Sequence, residues 1–432
     1  MPLLDVALHN SGYVVLLILL VILIYQSVVI VGGNEIALIE RRWFGSKMPQ
    51  GRVVALGNEV GIQARTLGPG LHFLIPFIYL ATKSMFTEIL ENEIGLIESV
   101  DGSSIPAGRI FAAVVAGHNS FQDGEAFIRN GGQKGPQIEV LPPGKYRINP
   151  YLFKLTKGSV IEIKDFEIGI VESVDGAPIQ EGRIFAQAVE GHESFQNGDA
   201  FIKNGGQKGP QIEIIPPGNY RINPYLFKVT KSMATKISEG EIGLVESADG
   251  SAIPAGRIFA TVVPGHNSFQ SGQDFIKNGG QKGPQTEILP PGVYRIHPNL
   301  FKVTKAAAVV IAKGEVGMVT AQDGAPIPMG RLLAQSVTGH SNYENGEAFL
   351  KNGGQKGPQI DVLLPGTYRI NLNLFNIQIA PAAVVEANKI GLVTALDGIP
   401  LPEREYVASP IAGHNDYQDG SAFLTRQGQR GP

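Results

Sequence analysis

The chain has 432 residues, with 36 Lys and Arg against 39 Asp and Glu, which gives a net charge of −3. The basic residues are spread along the chain and form no patch, so the composition gives no support for nucleic-acid binding. The chain contains no cysteine, which excludes disulfides, thiolate catalysis and thiolate metal sites.

The most apolar part of the sequence lies near the N-terminus. Residues 12–33 read GYVVLLILLVILIYQSVVIVGG and contain no charged side chain. A helix of twenty residues is ~30 Å long, which matches the hydrocarbon core of a bilayer. We therefore predict an N-terminal tail at 1–11 and a transmembrane helix at 12–33. A cleaved signal peptide needs a positive n-region and a small-residue cleavage site, and neither is present; a buried core helix is the other alternative.

Charges beside this segment bear on its orientation. Arg41, Arg42, Lys47 and Arg52 follow it within 20 residues, whereas no Lys or Arg precedes it. Positive residues tend to stay on the cytoplasmic side of a membrane helix. The sequence therefore predicts a single-pass protein of the cell membrane with the bulk of the chain in the cytoplasm.

Most of the remaining sequence is one 74-residue unit, repeated. The string EIGLIESVDG at Glu93 returns in variant form at Glu167, Glu241, Glu315 and Lys389, without insertion or deletion. A fixed period of this kind is the signature of a tandem-repeat protein. The predicted divisions are a shortened unit at 34–92, full units at 93–166, 167–240, 241–314 and 315–388, and a partial unit at 389–432. Because the partial unit lacks the LPPG…YRINP half, we expect this chain to be the front part of a longer protein.

The shortened unit resembles the two ends of a full one. EIALIERRWFG from Glu35 matches EIGLIES, and LGPGLHFLIPFIYLATK matches LPPGKYRINPYLFKLTK. The part without a counterpart is GHNSFQDGEAFIRNGG. We interpret that part as an elaboration of a simpler β-rich core.

Within a full unit, turn residues separate short β-prone segments. Ile94, Leu96 and Ile97 precede the turn signal Asp101-Gly102. One short helix is predicted from Asp123, its N-cap, to residue 130, with Gly131 as the left-handed stop. Strands are predicted at 137–141, 145–149 and 151–156, around the turn at 142–144. The predicted fold class is mainly β with short helices (α+β), in tandem units. The joints between units are short and apolar, so neighbouring units are expected to pack end to end.

The residues that recur in every unit are interpreted as structural. A histidine follows glycine at one fixed position, without a constant acid or nucleophile beside it, so a hydrogen bond near a turn is favoured over catalysis. A glycine recurs in the LPPG turn. No catalytic, cofactor-binding or metal-binding residue is predicted. The structural positions are His118, His192, His266, His340 and His414, and Gly144, Gly218, Gly292 and Gly366.

The string NGGQKGPQ, first at residue 130, combines glycines with Lys134 as phosphate-binding loops do. A phosphate loop leaves a strand and enters a helix, so that the helix N-terminus faces the anion. This loop leaves a helix and enters a strand. We therefore interpret its glycines as serving tight backbone geometry, with a ligand role as the alternative.

Several motifs resemble the stomatin/prohibitin/flotillin/HflK-HflC superfamily, also called SPFH or Band 7. They are VVIVGGNEIALIERRWFG and LGPGLHFLIPF directly after the apolar segment, then strings like IGLVESADG, GRIFA, GHNSFQ, NGGQKGPQ and LPPGVYRINP in the full units. The full units look similar to repeats of long bacterial members. The resemblance covers residues 28–432 and includes no catalytic signature; the long helical coiled-coil segment of the family is absent.

The resemblance implies a non-enzymatic scaffold that is anchored in a membrane and assembles into rings or cages. Its expected partners are the lipid bilayer, further copies of itself, and membrane proteins or proteases, but not nucleic acid. One alternative is a conduit of stacked rings, as in bacterial MCE proteins. Its candidate lining residues are Phe121, Phe195, Phe269, Tyr343 and Tyr417, for which core packing is the other interpretation. A surface adhesin with spacer repeats is a further alternative.

Overall fold

A computed structural model describes residues 12–432, together with the backbone of the first helix from Pro2. Of the predicted N-terminal tail at residues 1–11, only Met1 lies wholly outside the described residues; the backbone of the rest belongs to the first helix, which therefore begins before residue 12. Helix α1 (Pro2–Ser27) is followed by strand β1 (Val28–Val31). The prediction that residues 28–33 continue the membrane helix is therefore wrong. The β-branched valines of β1 pair instead with a strand at residues 70–73. Among the described residues, no helix is both long and apolar enough to cross a membrane.

The predicted β-rich, repeated architecture is confirmed, and the first three full units have the same order of elements. In the first full unit, the central strand β7 (Glu93–Ser99) pairs antiparallel with β8 (Gly135–Leu141) on one side and β10 (Phe153–Ser159) on the other. In the sequence, helix α2 (Gly124–Arg129) lies between β7 and β8, and strand β9 (Gly144–Tyr146) lies between β8 and β10. A β-bulge between Leu96 and Glu98 interrupts the β7–β8 pairing.

The second and third full units repeat this order at the same spacing, whereas the fourth adds a two-residue strand and has a shorter strand after its helix. The second unit contains β12 (Glu167–Ser173), α3 (Gly198–Lys203), β13 (Gly209–Ile215), β14 (Gly218–Tyr220) and β15 (Phe227–Met233). The third contains β17 (Glu241–Ser247), α4 (Gly272–Lys277), β18 (Gly283–Leu289), β19 (Gly292–Tyr294) and β20 (Phe301–Ala307). The fourth contains β22 (Glu315–Ala321), β23 (Ala325–Pro326), α5 (Gly346–Lys351), β24 (Gln355–Pro358), β25 (Gly366–Tyr368) and β26 (Phe375–Pro381).

Short linking strands cross the boundaries of the period. Strand β11 (Ile161–Ile163) leaves the first full unit and pairs antiparallel with β14 of the second. The same pairing recurs at the other joints, in β6 (Thr87–Ile89) with β9, β16 (Thr235–Ile237) with β19, and β21 (Val309–Ile311) with β25. Each joint is therefore a strand of the next unit's second, two-stranded sheet, which leaves little freedom between units.

The shortened unit keeps the sheet without the helix. Its strands β2 (Glu35–Arg41), β3 (Gly61–Leu67) and β5 (Tyr79–Met85) have the order β3–β2–β5, and β4 (Gly70–Phe73) pairs with β1. Residues 42–60 form no helix. The partial unit keeps the helix, α6 (Gly420–Thr425), and a pair of two-residue strands, β27 (Ile399–Pro400) and β28 (Gln429–Arg430). Its Ile390 and Leu392 are exposed, whereas their counterparts in the first full unit are buried.

Among the residues whose side chains the structure describes, the apolar core is divided into four clusters, and each contains residues of two units. Phe111 and Ile138 of the first full unit belong to the cluster built around Phe195, Phe201 and Phe227 of the second. Phe185 and Ile212 enter the next cluster in the same way, as do Val54 and Ala64 at the first joint. The helices account for this sharing, because α2, α3, α4 and α5 each contact a strand of the preceding unit, namely β3, β8, β13 and β18.

Candidate functional site at the junctions between units

A buried aspartate joins each full unit to the unit before it. Asp175 of the second unit is 2% exposed and accepts hydrogen bonds from the backbone amides of Ile110 and Phe111 in the first, both at 3.1 Å. The Arg109 guanidinium donates to it from Nε at 3.1 Å, and the amide of Gly176 at 2.8 Å. We call this set of contacts the aspartate clamp. It recurs at Arg52–Asp101, Arg183–Asp249, Arg257–Asp323 and Arg331–Asp397.

The clamp provides hydrogen-bond partners for a carboxylate that is buried away from water. Burial alone raises the pKa of Asp175, but the amides of Phe111, Ile110 and Gly176, and then the charge of Arg109, outweigh it. The net result is a pKa below the ordinary value of aspartate. Removing one partner of such a buried, fully bonded pair costs more than the pair itself contributes, because a charge or donor stays buried without a partner.

An asparagine makes a second bond across the same junction. Asn223 of the second unit donates from Nδ2 to the carbonyl oxygens of Gln137 and Ile138 in strand β8, at 3.2 and 3.0 Å. Its Oδ1 accepts from the amide of Tyr225 at 3.0 Å. Asn149 and Asn371 repeat this arrangement at the first and fourth junctions. At the third junction, the position is occupied by His297.

Sequence reasoning missed both inter-unit contacts. Asp-Gly at the end of the first strand was interpreted as a hairpin turn, and its glycine does continue the turn. The signal that could have identified the clamp was that this Asp recurs together with the Arg of GRIF. The shortened unit lacks the Asp yet keeps Arg52, which is expected if each Arg pairs with the Asp of the following unit. A recurring charge of each sign, 66 residues apart at four junctions and 49 at the first, indicates a pair.

The five recurring histidines all hold one unusual turn. Asn119, Ser120 and Phe121 have φ of 48°, 52° and 62°, so three successive non-glycine residues adopt the left-handed conformation. His118 Nδ1 accepts a hydrogen bond from the amide of Phe121 at 2.8 Å, and its carbonyl oxygen accepts from the amide of Asp123 at 3.0 Å. Identical Nδ1 contacts occur at His192, His266, His340 and His414.

The other ring nitrogen of the histidine faces a carboxylate in three units. Nε2 lies 3.2 Å from Glu139 at His118, 2.9 Å from Glu213 at His192, and 3.2 Å from Glu287 at His266. Since Nδ1 is an acceptor, Nε2 carries the proton and donates to the carboxylate. Both nitrogens are therefore engaged within the unit. The ring stands in an apolar setting, with its centroid 4.3 Å from that of Phe121.

We expect His192→Leu to destabilise its unit more than His192→Asn. Leucine leaves the buried amide of Phe195 without an acceptor, which typically costs about 1–3 kcal/mol. The Oδ1 atom of asparagine offers the same amide a replacement acceptor. Denaturant unfolding of the full chain, with hydrogen exchange of peptides covering residues 192–201, measures the difference. Equal losses for the two variants would contradict the role of Nδ1.

The predicted conduit residues lie in the core. Phe121, Phe195, Phe269 and Tyr343 are at most 3% exposed and contact the helix phenylalanine of the same unit, with centroids about 6 Å apart. Only the fifth, Tyr417 in the partial unit, is exposed among these positions. None of the four buried rings is available to line a tunnel.

The glycines of the LPPG turn make room for a tyrosine. A Cβ atom added at Gly144 would lie 3.3 Å from the side chain of Tyr146, and the distances to the equivalent tyrosine side chains in the next three units are 3.1, 3.0 and 3.1 Å. The Tyr146 hydroxyl donates to the carbonyl oxygen of Pro142 at 2.8 Å, which closes the turn. Gly218, Gly292 and Gly366 occupy the equivalent places beside Tyr220, Tyr294 and Tyr368.

The NGGQKGPQ loop uses its amides inside the unit. The amide of Gly131 donates to Ile128, that of Gly132 to Phe127, and that of Lys134 to Ser103. A phosphate cradle needs such amides to point at the ligand. Gly132 also lies under the Phe127 ring, where a Cβ atom would approach within 2.5 Å. These contacts favour the interpretation that the glycines serve tight backbone geometry.

Grooves at two of the junctions are small. The groove between the second and third units has a volume of about 290 Å³ and is lined in part by Arg183, Ile212 and Lys277. Its counterpart between the first and second units has about 250 Å³. Both lie below the 300–1,000 Å³ of typical small-molecule sites. Within the described residues, no group of three or more His, Cys, Asp or Glu side chains could hold a metal ion.

The fold and the junctions define a class of protein: a tandem-repeat protein whose β-rich units share their cores and clamp their neighbours. Comparison with protein families and with curated proteins finds no matching family model and no matching curated sequence.

Proposed function

We propose that the chain is a membrane-anchored scaffold without enzymatic activity, whose copies assemble side by side on a bilayer. The observation that carries the proposal is an exposed apolar surface on the shortened unit, beside the end of α1. We call it the N-terminal apolar surface; it comprises Trp43, Phe44, Leu71, Phe73, Ile75 and Phe77, each at least 57% exposed.

Backbone hydrogen bonds keep this surface next to the helix. The amide of Leu74 donates to the carbonyl oxygen of Ser27, the last residue of α1, at 2.8 Å. The amide of Arg42 donates to the carbonyl oxygen of Ile78, also at 2.8 Å, which brings Trp43 to the other end of the same loop. Contiguous exposed apolar surface marks a contact with protein or membrane, and tryptophan favours the membrane interface.

Helix α1 extends the same apolar character. Its large side chains from Val14 to Ile24 are all more than 40% exposed. Such side chains need an apolar environment, which a bilayer supplies. The positive residues that follow α1 support a cytoplasmic location for the units. The short motifs that resemble SPFH proteins favour the same function.

The junctions support a scaffold that is stiff along its length. A single unit of 74 residues buries little apolar surface by itself, and here each core is completed by the unit before it. Anchoring in a bilayer confines copies to two dimensions and raises their effective concentration. Lateral association between copies, and with membrane proteins or proteases, is therefore the activity we propose.

Trp43 provides an internal probe, because it is the single tryptophan of the chain. We expect the full chain to float with lipid vesicles, and the Trp43 emission to be quenched by lipids brominated on their acyl chains. Replacing Phe73 and Phe77 by serine should reduce the quenching, because it removes two anchoring rings from the same surface. Phe166→Ser is the matched control, since Phe166 is 63% exposed but lies between the first and second full units.

Two outcomes would contradict the proposal separately. If the chain does not float with vesicles, the proposed membrane anchor is wrong. If the chain floats but Trp43 is not quenched, the proposed contact between the N-terminal apolar surface and the lipid is wrong. Mass photometry of the detergent-extracted chain tests assembly. Monomers at every concentration would contradict the scaffold.

A further inference from the structure

The junction between the second and third full units contains a histidine where the other full units have asparagine. His297 occupies the position of Asn149, Asn223 and Asn371. It is 2% exposed. The substitution therefore changes a buried polar contact between two units.

The asparagine at this position has two separate tasks. In Asn371, Oδ1 accepts from the amides of Asn373 and Leu374, at 3.1 and 3.3 Å, within its own unit. Its Nδ2 donates to the carbonyl oxygens of Gln285 and Thr286 in the preceding unit, both at 3.0 Å. One end of the amide shapes the local turn, and the other end holds the junction.

His297 performs only the first task. Its Nδ1 accepts from the amides of Asn299 and Leu300, at 3.3 and 3.2 Å, so the ring is neutral and carries its proton on Nε2. The buried Nε2 atom makes no well-formed hydrogen bond, although the carbonyl oxygen of Gln211 in the second unit lies near the ring. Across the junction the ring instead contacts Phe185 of the second unit edge-on, with centroids 5.0 Å apart.

We propose that this junction is an acid-sensitive joint, which opens when His297 takes up a second proton. The proton can bind only at Nδ1, because Nε2 already carries one. Nδ1 is the atom that accepts hydrogen bonds from two backbone amides. Its protonation would break both bonds and place a third N–H donor against the two amide donors. The resulting imidazolium would also be buried against Phe185, in a setting that disfavours charge.

The surrounding charges do not compensate for an imidazolium. The carboxylates on the adjoining segments already have partners, Asp249 with Arg183 at 3.0 Å and Glu213 with His192 at 2.9 Å. One further carboxylate, Glu172, lines a cavity with Lys228, Lys231, Pro298 and Asn299. Together with Arg295, two residues before the histidine, the lysines outnumber this carboxylate.

The direction and the pH window follow from the two states of the ring. Burial lowers the pKa of His297 to about 4, and the backbone carbonyl oxygens of His297 and Gln211 oppose this only in part. A histidine exposed by opening has a pKa of ~6.5. The open form therefore binds the proton more tightly, and closure is lost progressively as the pH falls from ~6.5 toward 4. Between pH 8 and pH 5 the opening equilibrium should rise about 30-fold.

Hydrogen exchange of the full chain can test this, after correction for the intrinsic effect of pH on exchange. We compare the wild type with His297→Asn and with Asn223→His, which places a histidine at the junction between the first and second units. In the wild type, peptides covering residues 183–187 and 295–301 should lose protection between pH 8 and pH 5. Peptides covering residues 109–113 and 221–227 should not.

The two variants make the test reciprocal. His297→Asn should abolish the pH dependence at the third junction, and Asn223→His should create it at the second. All other histidines are common to the variants, so their titration cancels. A pH dependence that persists in His297→Asn would overturn the proposal. So would an Asn223→His variant that folds with native protection at pH 8 and keeps it unchanged at pH 5.

Discussion

Asp175→Ala should loosen the junction between the first and second full units by about 3–5 kcal/mol, the usual cost of breaking a buried ionic contact from one side. The variant removes the acceptor for Arg109 and for the amides of Ile110 and Phe111. Phe111 is buried, so its amide cannot turn to water. Asp175→Asn should have an intermediate effect, because it keeps one acceptor oxygen but loses the charge and replaces the other oxygen by an NH2 donor.

Hydrogen exchange in the full chain locates this effect as well as measuring it. Protection should fall in residues 109–113 and 174–177 and remain native in the third and fourth units. The reason is that each unit of a repeat protein is energetically coupled mainly to the adjacent units. Asp165→Ala is the control, since Asp165 is exposed and lies in the same joint. An Asp175→Ala variant as stable as the control would show that the clamp contributes nothing.

Phe201→Ala should destabilise the second unit by about 3–5 kcal/mol, the range for a fully buried phenylalanine. The ring is 0% exposed and lies edge-on to Phe227, with centroids 4.9 Å apart. Gly206 packs directly on it, and a Cβ atom at Gly206 would come within 2.5 Å of the ring. Phe166→Ala, at an exposed site, should change the stability by less than about 0.5 kcal/mol.

A double-mutant cycle sharpens this prediction. Gly206→Ala alone should destabilise the unit, because the added methyl group clashes with the ring. In the Phe201→Ala background the same methyl group occupies part of the cavity, so the effect of Gly206→Ala should become neutral or stabilising. Denaturant unfolding of the four chains measures the coupling. Simple additivity would contradict the packing of Gly206 on Phe201.

The sequence predicted those features that depend on residues close together in the chain. The helix at α2 follows from its cap: Asp123 accepts from the amide of Ala126 at 2.9 Å, and Gly131 has a φ of 88°. The period is visible because no unit carries an insertion. Local patterns of this kind are set by turn chemistry and periodicity, which a sequence displays directly.

Features that oppose local preferences were not predicted. Three non-glycine residues with positive φ, as at residues 119–121, contradict the usual assignment of such conformations to glycine. The end of α1 was also misplaced, because the apolar residues 28–31 suit a membrane helix and a strand equally well by composition. Their pairing with 70–73 depends on the tertiary fold.

The junctions were predicted only as apolar end-to-end packing. Their particular contacts join Arg109 to Asp175, and Asn223 to Gln137, across 66 and 86 residues. Pattern reasoning gives no distance over such separations. The clamp nevertheless left a trace in the recurrence of its two charges, which an inspection of invariant pairs would have detected.

The spacing between the clamp residues is constant at every junction after the first, and this has a consequence for how such a chain changes in evolution. Loss of residues 167–240 would bring Arg109 to Asp249 at the separation of 66 that it now has to Asp175. Recombination between repeats can therefore shorten or lengthen the chain in steps of one unit, while each new interface is already complementary. The number of repeats therefore sets the distance between the last unit and α1, and a change in that number needs no redesign of the contacts between units.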